Sequence, residues 1–233
     1  MIFNILYGPG TAREKFLCIV AFLISALFAI MVHEVSHGYV AKLNGDNTAK
    51  MMGRLTLNPV KHFDPIGFLM FALVGFGWAK PVPINPNNFK NYKRGIITTS
   101  LAGVTSNLLL SFVNFGLLVA TQAIAGAAGI TNQVGEVFYL LFFYMFLYGT
   151  MINISLLAFN LIPVYPLDGF HVLEMITRPN NKVVMFLRRY GYYMLIGVLL
   201  IGSVIPGADF IGMYLRWVQS GLLNLFSMIF GGF

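Results

Sequence analysis

The sequence predicts an all-α polytopic membrane protein. About five to six membrane helices are expected, with a re-entrant, non-helical or β segment between the first and second full spans. Three observations carry this prediction. Of 233 residues, 58% are hydrophobic and only 10% charged, and the mean hydropathy of +0.76 lies outside the range of soluble domains. Several apolar runs approach or exceed the ~20 residues that span a bilayer as helix. Twelve of the 15 Lys and Arg residues fall in three bands between those runs, 42–61, 80–94 and 178–189. A net charge of +7 spread this way suits cytoplasmic loops and not a nucleic-acid surface.

The elements follow in order. The first span is expected at about 16–43. It follows Arg13 and Lys15 as a signal peptide would, but it carries the motif described below, so it is read as an uncleaved span. Cys18, the one cysteine, lies in this run and leaves no internal disulfide. The band 42–61 is polar, with Gly45, Asn47 and Asn58-Pro59 as turn signals. Residues 63–78 are apolar but short and rich in glycine (Gly67, Gly75, Gly77). Lys80-Pro81-Val82-Pro83-Ile84-Asn85-Pro86 follows, which no helix interior tolerates. Spans are expected at about 96–124 and 137–161, the second broken by Pro163 and Pro166. A mixed segment, a span at about 190–205, a Pro206-Gly207 turn and a last apolar segment from Phe210 complete the chain.

The basic bands set orientation. All three are expected in the cytoplasm, and the link 125–136, which has no basic residue, outside. Residues 63–78 then dip into the membrane and return. The rival scheme lets them cross and places Lys42, Lys50, Arg54 and Lys61 outside. Gly75 and Gly77 would let this backbone approach an unwound substrate, and Pro81, Pro83 and Pro86 would keep the following strand extended and short of donors. The whole chain reads as one membrane-embedded domain, with a core at about 16–178 and C-terminal spans within 190–233.

The chemistry begins at His33-Glu34-Val35-Ser36-His37, near the cytoplasmic end of the first span. A helix puts residues i and i+4 on one face, so both imidazoles can grip one metal ion, with Glu34 beside them to take a proton from water. A zinc hydrolase needs a third protein ligand and an open position. Asp168, where two prolines break a span, is the strongest candidate. The competing reading makes it a turn aspartate before Gly169 and leaves the third position to His171. His62 reads as a solvated or interfacial residue of a basic link. A metal transporter or a catalytically silent scaffold are the other function classes. The spans are nearly charge-free away from one depth, which disfavours an ion path, and the intact His33, Glu34, His37 and Asp168 disfavour a silent scaffold.

The pairing of His-Glu-x-x-His with Asn160-Leu161-Ile162-Pro163-Val164-Tyr165-Pro166-Leu167-Asp168-Gly169 resembles the site-2 proteases, polytopic zinc metalloproteases that cleave transmembrane segments. The resemblance covers roughly residues 17 to 178 and is closest to compact bacterial members without PDZ or CBS domains. It includes Gly38-Tyr39-Val40-Ala41, Met52-Gly53-Arg54-Leu55-Thr56-Leu57-Asn58-Pro59 and Gly77-Trp78-Ala79-Lys80-Pro81-Val82-Pro83. It implies one zinc per chain held by His33, His37 and Asp168, with Glu34 as general base. Gly103-Val104-Thr105-Ser106-Asn107 resembles the family's Gly-Pro-x-x-Asn motif, with Val104 in place of the proline. Asn107 would then bind substrate or the oxyanion, and Asn160 would hold the substrate strand. The implied setting is the plasma membrane of a bacterium, with transmembrane proteins as substrates and the active site toward the cytoplasm.

Overall fold

A computed structural model describes residues 2–74, 79–129, 132–205 and 207–231. Helix α1 covers Ile2–Tyr7, and α2, Ala12–Leu43, is the first long helix. It starts earlier than its apolar run because Thr11 and Glu14 form a reciprocal capping box, which satisfies donors at the helix start. A short α3 (Thr48–Met51), a 3-10 turn at Pro59–Lys61 and α4 (Pro65–Val74) follow. Then come a second 3-10 turn at Pro86–Asn88, α5 (Tyr92–Ala128), α6 (Gln133–Leu161), α7 (Asp168–Ile176), α8 (Lys182–Val204) and α9 (Phe210–Phe230).

No strand occurs among the described residues. The expected non-helical or β character of 63–78 is therefore corrected for its described part: residues 65–74 are helix. At 1.5 Å per residue α4 is about 15 Å long, half a hydrocarbon core. The Lys80 N–H donates to the His62 carbonyl at 2.9 Å, so the excursion leaves and returns at one place. Gly75 and Gly77 lie outside the described residues.

Helices α2, α5, α6 and α8 are long and apolar enough to cross a membrane. The first three make the core. Helices α2 and α6 run parallel: Arg13 pairs with Glu136 at their starts, Ser25 donates to the Met145 carbonyl, and Phe22, Ala26 and Ala29 pack on Ile152. Helix α5 runs the other way between them, with Asn44 donating to Thr98 and Gly103 facing His33 and His37. Small residues let the helices close up; a Cβ on Gly149 would collide with the Asn114 side chain. Helix α9 lies antiparallel to α6. Its Tyr214 and Leu215 pack on Leu157 and Ala158, Gln219 donates to Ser155 Oγ at 2.8 Å, and Phe226 reaches Phe115 and Ile154. Further along, Leu223, Asn224 and Ser227 line a cavity of about 480 Å³ together with Leu147 and Phe143.

Helix α6 ends at Leu161 because Ile162 precedes Pro163 and adopts extended backbone (φ −61°, ψ 125°). The chain then turns and starts α7 at Asp168. A Cβ on Gly169 would strike the Leu161 carbonyl, so glycine allows α7 to start directly against the end of α6. Glu174 on α7 pairs with Arg188 on α8, and Gly191 lies on the Tyr165 backbone. His62, expected to be solvated or interfacial, is 1% exposed and bonded through Nε2 to the Thr56 carbonyl. The band 42–61 folds back on itself, and this local hydrogen bond replaces water at the ring.

Candidate metal centre

His33 and His37 stand one turn apart on α2, and both are buried. Their Nε2 atoms are 2.9 Å apart. Asp168 Oδ2 lies 3.4 Å from His33 Nε2 and 3.3 Å from His37 Nε2. Each residue offers one ligand atom to this cluster. A tetrahedral zinc with bonds of about 2.0–2.1 Å separates its ligand atoms by about 3.3–3.4 Å. Two edges of the triangle match that spacing, and the third is a few tenths of an ångström short.

The hydrogen bonds around the rings decide what those atoms carry. His37 Nδ1 is 2.7 Å from the Thr99 carbonyl, which can only accept, so Nδ1 carries a proton and in the neutral ring Nε2 is the free ligand atom. His33 Nδ1 is 2.5 Å from Asn107 Oδ1. Asn107 Nδ2 donates to Asn153 Oδ1 at 2.7 Å, and Asn153 Nδ2 donates to the Gly149 carbonyl at 2.7 Å. That chain fixes both amides, makes Asn107 Oδ1 the acceptor and His33 Nδ1 the donor, and in the neutral ring leaves His33 Nε2 as the free ligand atom as well. Asp168 Oδ2 is buried without a hydrogen-bond partner. In the neutral rings both Nε2 atoms face Asp168 Oδ2 across a gap that a cation can fill, and two nitrogens with one carboxylate oxygen is a zinc donor set.

Glu34 is half-buried beside the cluster, and its Oε2 accepts the Val82 N–H at 3.0 Å. Asn107, expected to bind substrate or the oxyanion, is fully buried, with Oδ1 beside His33 Nδ1 and Nδ2 donating to Asn153. Val104 is buried within a continuous α5 and packs on Leu157 and Ala158. Asn160 sits near the end of α6, half-buried, its Nδ2 donating to the Leu156 carbonyl at 3.0 Å. His171 stays outside the cluster, edge-on to Tyr165 and Phe170. Three contributors escape a reading by motif. Thr99 and Val82 act through backbone, which residue identity does not advertise. Asn153 carries a signal, since it stands two turns before Asn160 on the same helix.

Residues 21–201 match peptidase family M50. The chain belongs to peptidase family M50. This is the site-2 protease family that the paired motifs resemble. The M50 chain is 36% identical over 216 residues to "Putative zinc metalloprotease YwhC" of Bacillus subtilis, covering 89% of this chain and 91% of the relative. It is 27% identical over 180 residues to "Putative zinc metalloprotease Rip2" of Mycolicibacterium smegmatis, covering 75% and 64%. The Rip2 of Mycobacterium tuberculosis (strain H37Rv) matches at 27% over 201 residues, covering 84% and 72%. No solved structure matches it.

The M50 match contains every residue of the cluster, including Gly103, whose missing side chain lets α5 touch the ligands. A Cβ there would lie 2.5 Å from both His33 Cε1 and His37 Nε2. Gly103→Ala is therefore expected to push α5 away, with a stability loss of about 1–3 kcal/mol and metal affinity lowered about 10- to 100-fold. A chelator competition titration and a thermal melt check this, with Gly126→Ala, which meets nothing within 4 Å, as the neutral control. Wild-type zinc affinity in Gly103→Ala would show that the close approach is dispensable.

Proposed function

We propose that this protein is an intramembrane zinc endopeptidase, one zinc per chain, that cuts peptide bonds in or near transmembrane segments. The observation that carries the reading is the convergence of His33, His37 and Asp168 lone pairs beside the Glu34 carboxylate, inside a bundle of membrane-length helices. When bound, zinc would act as a Lewis acid, bringing water into the acidity range of neutral pH and polarising the scissile carbonyl. Glu34 takes the proton of the attacking water and returns it to the leaving amine. Thr99 and Asn107 hold the two imidazoles in the tautomer that ligation needs. Asn160, with its amide nitrogen used internally, offers its oxygen to an unwound substrate strand. The test is cleavage of a reconstituted single-span peptide by the purified protein. Chelation should stop it and zinc should restore it; zinc flux across the liposome without cleavage would favour a transporter.

The topology we propose has α2, α5, α6 and α9 as the four crossings, with 63–78 re-entrant and α8 lying in the cytoplasmic leaflet of a bacterial plasma membrane. Two features support it. A Cβ on Gly202 would lie 3.1 Å from Asp209 Cα, so the end of α8 is joined tightly to the start of α9. Helix α9 then runs antiparallel to α6, starting near the cytoplasmic end of α6. A fully crossing α8 would end on the other side. Single cysteines in a Cys18→Ser background and an impermeant thiol reagent check this. On intact cells Ala128→Cys is expected to label, whereas Lys50→Cys, Asn88→Cys and Ala208→Cys label only after permeabilisation. Labelling of Ala208→Cys in intact cells would mean that α8 crosses.

A further inference from the structure

Residues 79–90 form a strap that crosses α2 over a single helical turn. The Val82 N–H donates to Glu34 Oε2 at 3.0 Å, and the buried Val82 side chain seats on Gly38, four residues further along the helix. A Cβ on Gly38 would lie 2.7 Å from both Val82 Cγ1 and Leu55 Cδ2. Pro81 and Pro83 have no N–H, so Val82 supplies the one backbone donor of the triplet.

Two buried charges from the 44–54 turn hold this strap on either side of Val82. Arg54 Nη2 donates to the Lys80 carbonyl at 2.7 Å and to the Pro81 carbonyl at 3.1 Å. Asp46, fully buried, accepts the Asn85 N–H at 2.7 Å and Asn88 Nδ2 at 2.8 Å, besides the Thr48 N–H and hydroxyl. Burial pushes the Asp46 carboxyl up, but these donors outweigh it and hold it below the ordinary carboxylate range. Only residues 82–84 lie between the two anchors, too short a stretch for slack. Beyond them the Lys90 N–H donates to the Asn44 carbonyl at 2.9 Å.

We propose that Arg54 and Asp46 are positioning residues for the general base: they clamp the strap at both ends so that the Val82 N–H holds one oxygen of Glu34 and leaves the other for proton transfer. This rests on the protease reading, in which Glu34 moves the proton. A carboxylate without the clamp has several side-chain rotamers, and only some face the metal. Outer-sphere partners of this kind are worth about 10- to 100-fold in activity.

The decisive variant replaces Val82 by its α-hydroxy acid, which turns the amide into an ester and removes the N–H while keeping the side chain. Cleavage of a quenched fluorescent single-span peptide is expected to fall about 10- to 100-fold in kcat, with KM and zinc content unchanged. Arg54→Ala is expected to do the same and Arg54→Lys to recover part of the loss. In a Glu34→Asp background, whose shorter side chain cannot reach Val82, the ester should cost nothing further. Amide exchange gives a readout independent of activity: Val82 is expected to be protected in the wild type and to exchange faster in Glu34→Ala and in Arg54→Ala. Unchanged kcat in the ester, equal fold losses in both backgrounds, zinc lost along with activity, or undiminished Val82 protection in Glu34→Ala would each overturn the proposal. Wild-type cleavage by Glu34→Gln would instead overturn the general-base reading beneath it.

Discussion

Glu34→Gln is expected to lower cleavage about 10²- to 10⁴-fold while leaving bound zinc unchanged. Glutamine has the shape of glutamate, and its amide oxygen can still accept the Val82 N–H that Glu34 accepts now. The side chain therefore keeps its place and loses only its basicity. Glu34 is not one of the three groups whose ligand atoms converge, so the metal should stay. A transporter has no such requirement, because ligand exchange along a path needs no proton acceptor at this position. The measurement is turnover on a reconstituted single-span peptide alongside metal analysis of the same preparation. The inert but loaded variant should also retain substrates in cells, where cross-linking can identify them. Loss of zinc with activity would make Glu34 structural, and full activity would remove it from the mechanism.

Asp168→Ala is expected to empty the metal site. His37→Ala should do the same. Each of the three groups supplies one lone pair, and two ligands in a buried site hold zinc poorly. In the wild type zinc should raise the melting temperature by mass action on the folded state, and in Asp168→Ala it should not. Zinc retained in Asp168→Ala would pass the third position to His171. That would require its ring to leave the edge of Tyr165 and Phe170. Zinc retained in both variants would dismiss the site altogether.

Much of this was open to reading because it is local in sequence. The long apolar runs, the basic bands and the two prolines after Leu161 each follow from the composition of one segment. Boundaries moved where a cap lay outside the apolar run, as Thr11 does for α2. The i, i+4 spacing of His33 and His37 needs nothing but a helix. Asp168 stands out because a proline break is visible in the chain, although its depth depends on α2 and α6 being parallel, which the Arg13–Glu136 pair records at their starts.

Composition and helical spacing thus make the membrane class and the long apolar helices legible, together with His33, His37 and Asp168, which the fold draws into one cluster. How those groups are held is a matter of helix packing. The tautomer of His33 depends on Asn107 and Asn153, that of His37 on a Thr99 carbonyl, and the position of Glu34 on a Val82 amide. The burial of His62 and the course of α8 beside α9 belong to the same class. The physical reason is common to all of them. Hydrophobic spans and helical periodicity are properties of neighbouring residues, whereas these contacts join backbone and amide groups from segments brought together only when the helices pack.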